Sequence, residues 1–374
     1  MTGPMGVPRG PSNGRTAIAI GETTAIPVPI LDVDALEVHF RITRGVVVQR
    51  RVGAVRAVDG VSFTIRPGEV LGLVGESGSG KTMTLLSIMR LLPVAEAKIV
   101  AGSIWFDGRD LLREPEPAMR RYRGARIALI MQDALTALNP VLTVGDQVSE
   151  PLRYHPGRHS GPIGARVIEV LESVRIPNPE RRLDDYPHQF SGGMRQRVLA
   201  AMALGPSPDL ILADEPTTAL DVTIQAQFLT LVRRLQRDTN TSVLWVTHDL
   251  GVVAQTCDRV NVMYAGRIVE SGSVRRILNE PQHPYTVALM ESVPKLGERR
   301  ERLYQIAGQP PDLLNLPPGC PFYDRCPLRM DICRAEYPPA TPVGRDGYVH
   351  CWAASKTDVA AAMLAPTSSA GSDG

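Results

Sequence analysis

Glu69-Val-Leu-Gly-Leu-Val-Gly-Glu-Ser-Gly-Ser-Gly-Lys-Thr82 begins as an unbroken apolar run and ends in a glycine-rich turn closed by a lysine and a hydroxyl. The run is short and apolar on both faces, the texture of a strand buried in a parallel sheet. From Gly75 to Thr82 the chain fits the phosphate-loop pattern, placed after a buried strand and at the start of a helix, where that chemistry needs it. Gly75, Gly78 and Gly80 let the backbone curl so that successive N–H groups, that of Ser77 among them, point inward at phosphate oxygens. The helix N-terminus adds a favourable dipole. Lys81 is placed to reach the β- and γ-phosphates, and the Thr82 hydroxyl to ligate Mg²⁺. Leu85, Ile88, Met89 and Leu92 follow at helical spacing.

Working outward, the same texture recurs at Ile127-Ala-Leu-Ile-Met131, Leu210-Ile-Leu-Ala213 and Val243-Leu-Trp-Val246. After Leu210–Ala213, Ile224, Phe228, Leu231 and Leu235 form another helical stripe. Alternation of buried strand and helix predicts an α/β core with a parallel sheet. Leu36-Glu-Val-His-Phe40 and Val61-Ser-Phe-Thr-Ile65 predict antiparallel strands beside it, with an insertion between Phe40 and Val55. From about 133 to 205 strand patterns give way to helical ones, including Val167, Val170, Leu171 and Val174, which predicts an inserted helical subdomain.

The expected fold is therefore α/β: a P-loop NTPase core with an N-terminal antiparallel β subdomain, an inserted helical subdomain and a small cysteine-containing C-terminal extension. Residues 1–30 read as a mobile tail, 31–280 as the nucleotide-binding domain, 281–354 as an appended segment apart from the sheet, and 355–374 as a second tail. The tails are too poor in apolar residues to offset their ordering entropy. No internal repeat is present, so one ATPase unit is expected.

Beyond the phosphate loop, Leu210-Ile-Leu-Ala-Asp-Glu-Pro216 is a buried strand ending in two carboxylates. Asp214 can hold the Mg²⁺ shell, and Glu215 can polarise an attacking water as general base. Phe190-Ser-Gly-Gly-Met-Arg-Gln-Arg197 opens another helix, with Ser191, Gly192 and Gly193 offering a hydroxyl and free amides to a phosphate. Gln132 directly follows the strand 127–131, Thr218-Ala-Leu-Asp221 follows the acidic pair, and His248 follows the strand 243–246.

A phosphate loop alone leaves kinases, GTPases and helicases open. In this order and spacing, the full set resembles the ATPases of ABC transporters over about residues 31 to 280. The resemblance implies that Ser191 to Gly193 are the signature motif, with Met194 where many members have Gln. It implies that Gln132 touches Mg²⁺ and water and senses a permease, that Asp221 communicates across a dimer, and that His248 contacts the γ-phosphate. An aromatic ring from the N-terminal strands stacks on adenine in that family, and Phe40 is the candidate. One phosphate loop and one signature per chain imply a second ABC ATPase subunit, the same or homologous, that sandwiches each ATP.

Past residue 280, His283-Pro-Tyr-Thr286, Ala288-Leu-Met-Glu-Ser-Val-Pro294, Gly308-Gln-Pro-Pro311 and Gly319-Cys-Pro-Phe-Tyr-Asp-Arg-Cys-Pro327 resemble the C-terminal extension of the oligopeptide and dipeptide importer ATPases, which nickel uptake systems share. That implies peptide cargo, with nickel or another metal chelate as the alternative. It also implies two membrane permease subunits and, indirectly, an extracytoplasmic binding protein. Cys320, Cys326, Cys333 and Cys351 are separated by five, six and seventeen residues. Zinc sites usually show tighter gaps, while Cys₄ ligation is the usual shell of a [4Fe-4S] cluster. Three readings stand: a [4Fe-4S] site, a zinc site, and plain reduced or disulfide-linked cysteines. His350 is a substitute ligand. Cys257, in an apolar helical stretch with Val252 and Val253, reads as packing.

Bulk properties narrow the field further. Lys+Arg of 41 against Asp+Glu of 39 gives no basic surface for nucleic acid. No run approaches the roughly 18 apolar residues of a membrane span, and the proline- and glycine-rich N-terminus does not read as a secretory signal. The expectation is a peripheral protein on the cytoplasmic face of the plasma membrane, attached through other subunits. A non-transport ABC ATPase of DNA repair or the ribosome is the rival reading. Such proteins usually carry two ATPase units or long coiled-coil insertions, which this chain lacks.

Overall fold

The structure, a computed structural model, describes residues 28–44, 50–156, 161–218, 220–292, 305–354 and 358–364. In chain order its strands are β1 (Leu31–Arg44), β2 (Arg50–Ile65), β3 (Val70–Val74), β4 (Ala97–Phe106), β5 (Arg109–Asp110), β6 (Ile127–Ile130), β7 (Leu210–Asp214), β8 (Ser242–Thr247), β9 (Arg259–Tyr264), β10 (Arg267–Ser273), β11 (Thr341–Val343) and β12 (Gly347–Val349). They form two sheets. One is antiparallel in the order β2-β1-β4-β5, and the other runs β11-β12-β10-β9-β3-β8-β7-β6.

The centre of the larger sheet, β9-β3-β8-β7-β6, is parallel. Its strands are apolar throughout because each face meets a different core. Val70 and Val74, Ile211 and Ala213, and Val243 and Trp245 pack with the helices Val144–Tyr154, Ile163–Ser173 and Gly192–Leu204. Their alternates Leu71, Leu73, Leu210, Leu212, Leu244 and Val246 pack with Val33, Val38, Val61 and Ile65 of the antiparallel sheet. A period-two split of this kind turns an apolar run into a two-sided strand. The stretch between β6 and β7 contains helices and no strand among its described residues.

Three expectations are corrected. The expected insertion between Phe40 and Val55 is a lengthening of the β1–β2 hairpin: Phe40 pairs with Val55 and Arg44 with Arg50, while 45–49 lie outside the described residues. The segment 281–354 is not apart from the sheet, because β12 pairs with β10 at Glu270↔Val349 and carries β11 with it. The helix after β3 stops at Ile88, so Leu92 lies beyond it.

Of the two expected tails, 1–27, 355–357 and 365–374 lie outside the described residues. Between them Val359–Leu364 is helical, because Val359 is buried against Val287 and Ala353.

Candidate functional site

The parallel strands end on one side of the sheet, and their following loops converge there, as is usual for open α/β sheets. After β3 the chain turns through Gly75–Gly80 into the helix Lys81–Ile88. Gly80 has φ 107°, and a Cβ there would lie 2.3 Å from the carbonyl oxygen of Ala57, so only glycine fits. The buried Lys81 donates through Nζ to the Gly75 and Glu76 carbonyls at 2.8 and 2.9 Å. The loop thus closes around its own cation, and burial pushes the Lys81 ammonium below its usual range.

The ends of β7 and β8 supply the acids and the histidine. Asp214 is buried, which pushes its carboxyl up, and its Oδ1 accepts from Thr82 Oγ1 at 3.2 Å. This oxygen pair, beside a lysine and below an anion-binding turn, fits a hard divalent cation held by oxygen donors. Glu215 follows with φ 43°, an uncommon left-handed conformation for a non-glycine residue, pinned by its N–H donating to Val246 O at 2.9 Å. Its Oε2 accepts from Gln132 Nε2 at 3.1 Å and from Thr218 Oγ1 at 3.0 Å, with His248 Nδ1 at 3.1 Å. Three sequence-predicted residues, Gln132, Glu215 and His248, therefore meet at one carboxylate oxygen. Thr218 was legible only as part of the stretch Thr218–Asp221; nothing in its spacing marks its hydroxyl as a fourth member.

The remaining residues lie apart. Ser191 caps the helix Gly192–Leu204 by accepting from Met194 N, and Asp221 caps Val222–Thr239 by accepting from Ile224 N. Ser191, Gly192 and Asp221 are exposed. Gly193 sits so close to the second helix that a Cβ would lie 2.5 Å from Ile224 Cγ2. Phe40 is half-buried against the inter-sheet core. Its partner Val55 is two residues before Ala57, whose carbonyl abuts Gly80.

The extension builds a second site. Cys320, Cys326, Cys333 and Cys351 line one cavity together with His283, Phe322 and Trp352. All four are free thiols in this structure. Burial pushes Cys320 and Cys326 up to about 12. Four soft donors in one apolar pocket fit a thiolate-held metal group by their chemistry. A single zinc needs all its sulfurs about 2.3 Å from one point, and among the described residues no group of three or more His, Cys, Asp or Glu is close enough to hold one ion as it stands. His350 is not among the lining residues, and its Nδ1 pairs with Pro338 O at 2.8 Å. Cys257 is buried at the end of the helix Leu250–Thr256 and packs near Gly72.

Sequence reading did not foresee what anchors this extension. Glu270, fully buried on β10, accepts from Arg276 Nη1 at 2.8 Å and from the N–H groups of Gln282 and His283 at 2.9 and 3.0 Å. The His283 ring in turn caps the helix Pro284–Glu291 through Tyr285 N.

Comparisons with known proteins bear on the fold and the family. Residues 58–218 match the ABC transporter family, and residues 269–333 match the oligopeptide/dipeptide transporter C-terminal region. The chain is 53% identical over 300 residues to a dipeptide transport ATP-binding protein of Bacillus subtilis, covering 80% of this chain and 90% of that one. It is 45% identical over 325 residues to an oligopeptide transport ATP-binding protein of Salmonella typhimurium, covering 86% and 94%. Among solved structures, a dimeric ATP-binding cassette in a post-hydrolysis state with ADP and Pi superposes with a TM-score of 0.56 at 27% identity, covering 66% of this chain and 99% of that one. With its phosphate loop, its carboxylate pair and relatives of this identity and coverage, the chain belongs to the ATP-binding subunits of the ABC transporter family, and it is an ATPase.

Proposed function

We propose that this ATPase drives import of dipeptides and oligopeptides through two membrane permease subunits fed by an extracytoplasmic binding protein. The observation that carries the cargo assignment is the match of residues 269–333 to the oligopeptide/dipeptide transporter C-terminal region, supported by the two relatives above, ATP-binding proteins of dipeptide and oligopeptide transport. Among the described residues no helix is long and apolar enough to cross a membrane. Attachment to the cytoplasmic face therefore runs through the permeases.

Docking is assigned to the stretch after Gln132. Met131, just before Gln132, and Val141 and Leu142, beyond the short helix Ala134–Ala137, expose large apolar side chains at 44%, 75% and 40% and flank this stretch. A permease pressing on this stretch moves Gln132, and Gln132 holds Glu215. That is a direct path from cargo to chemistry.

The chain's own residues divide the reaction as follows. The amides of Gly75–Gly80 and Lys81 hold the phosphates, and Phe40 stacks on adenine from β1. Mg²⁺, bound with the nucleotide, offsets phosphate charge, and Thr82, Asp214 and the free amide oxygen of Gln132 would hold it. Glu215 orients a water and accepts its proton, while Gln132, Thr218 and His248 fix the carboxylate's direction. His248, more than half exposed, can turn from Glu215 to the γ-phosphate. Ser191, Gly192 and Asp221 are exposed and, with Gly193, serve the ATP held by a second ABC ATPase subunit. Cys320, Cys326, Cys333 and Cys351 would hold a [4Fe-4S] cluster, a reading that rests on their Cys₄ donor set in one cavity.

The test is reconstitution with the neighbouring permeases. Peptide together with its binding protein should stimulate ATP hydrolysis, and cross-linkers placed at Val141 should capture a permease. Stimulation by a nickel chelate instead of peptide would transfer the assignment to metal uptake, and cross-links that never reach a membrane subunit would sink the importer reading.

A further inference from the structure

Glu76, the second residue of the phosphate loop, is a chemical oddity. A carboxylate placed where a polyanion must bind repels it unless something neutralises the charge. Arg325 does so from the C-terminal extension. Its Nη1 lies 2.9 Å from Glu76 Oε2 and its Nη2 3.1 Å from Oε1, a bidentate pair. The Arg325 side chain is 5% exposed and that of Glu76 25%, so the pair is shielded enough for its geometry to count.

Neither partner is free to drift. Arg325 also donates through Nε to Ala307 O at 3.0 Å and through Nη1 to the Tyr264 hydroxyl at 3.2 Å. The Glu76 N–H donates to the Tyr285 hydroxyl at 2.8 Å. Tyr264, Tyr285 and Phe322 pack ring against ring, with centroids 4.5 to 5.5 Å apart. The extension therefore grips both the side chain and the backbone of Glu76, while the Glu76 carbonyl holds Lys81 Nζ.

We propose that Arg325 is a positioning residue of the nucleotide site. It acts through Glu76, cancelling its charge and holding the loop in the curled form that ATP requires. The inference rests on the reading of Gly75–Thr82 as the phosphate loop. Arg325 belongs to the short turn Tyr323–Arg325 between Cys320 and Cys326, so the cysteine cavity and the nucleotide pocket share one structural element. Without the clamp, roughly one residue of loop backbone must be ordered by the nucleotide itself, and Glu76 faces the phosphates uncompensated. Affinity should fall about tenfold.

The experiment measures MgATP binding by calorimetry on the full chain carrying Glu215→Gln, so that hydrolysis does not intervene, and ATPase KM and kcat in the assembled complex. Arg325→Gln should weaken binding and raise KM about tenfold with kcat little changed, and Arg325→Lys should recover part of the loss. Glu76→Gln removes the repelling charge but also the clamp, so it should weaken binding less than Arg325→Gln. The double variant should then match Glu76→Gln alone, because Arg325 acts through Glu76. Glu76→Gln leaves the bonds of Arg325 to Ala307 O and Tyr264 Oη in place and keeps the test valid if the arginine variants fold poorly. Affinity within about twofold for Arg325→Gln and Glu76→Gln alike, alongside loss of binding in Lys81→Ala, would overturn the role of Arg325 and leave the phosphate loop standing. Unchanged binding in Lys81→Ala would remove the loop reading and the inference with it.

Discussion

Replacing Glu215 by Gln isolates the chemistry at the point where the site converges. The amide oxygen of glutamine can still accept from Gln132 and Thr218, whose donors lie 3.1 and 3.0 Å from the carboxylate oxygen in the native protein. The left-handed backbone at φ 43° and the bond from its N–H to Val246 O are unaffected by the change in side chain. What disappears is the negative charge and the ability to take a proton from water. General-base catalysis contributes about 10²- to 10⁴-fold, which at about 1.36 kcal/mol per decade is roughly 2.7 to 5.5 kcal/mol of barrier. Phosphate release from the permease-bound complex should fall by that factor, while MgATP affinity stays within about threefold because the residues gripping the phosphates are untouched. Size-exclusion chromatography with MgATP should show the closed ATPase pair accumulating. A kcat within about threefold of wild type would refute the assignment of Glu215 as base, since only a group that merely held a hydrogen bond would be replaced so well by glutamine.

Gly193→Val places branched carbons where even a Cβ would meet Ile224 at 2.5 Å, so the signature helix must shift. ATP-driven pairing, followed by light scattering, should be lost while nucleotide binding to the single subunit persists. Arg276→Ala leaves Glu270 buried with its backbone donors but no counter-charge. Breaking such a pair from one side costs about 3 to 5 kcal/mol, readable as a lowered urea midpoint, and an unchanged midpoint would show that the extension is anchored elsewhere. Protein purified without oxygen should be brown and contain iron and sulfide, and Cys326→Ser should bleach it. Colourless protein with stoichiometric zinc would reject the iron site.

The parts of this molecule that could be read from sequence are those whose chemistry is local. A buried strand, a glycine turn and a helix start lie within Glu69–Thr82, so the phosphate loop is legible without knowing the fold. The same holds for the Asp214–Glu215 pair and for Ser191 at a helix start. Phe40 is harder, because its distance from the phosphate loop depends on hairpin register, and the long β1–β2 hairpin resembled an insertion. β11 and β12 were missed because strands of three residues each carry too little periodicity to register. They become strands only because β10 offers an edge.

Contacts between residues far apart in the chain were beyond sequence reading altogether. Glu76 sits in the most recognisable motif of the protein, yet its own identity is unconstrained by that motif, and its partner lies 249 residues away. Arg325 sits within the second recognisable motif, next to a cysteine, where it looks like an ordinary solvated charge. Each residue is unremarkable alone. Only the docking of Tyr285, Phe322 and Tyr264 brings the two segments face to face, and that docking depends in turn on Glu270 pinning the turn at Gln282 and His283. A segment recognised for the cargo of its relatives thus contributes to the ATP site, and a change in the extension should be felt first in how tightly the subunit holds its nucleotide.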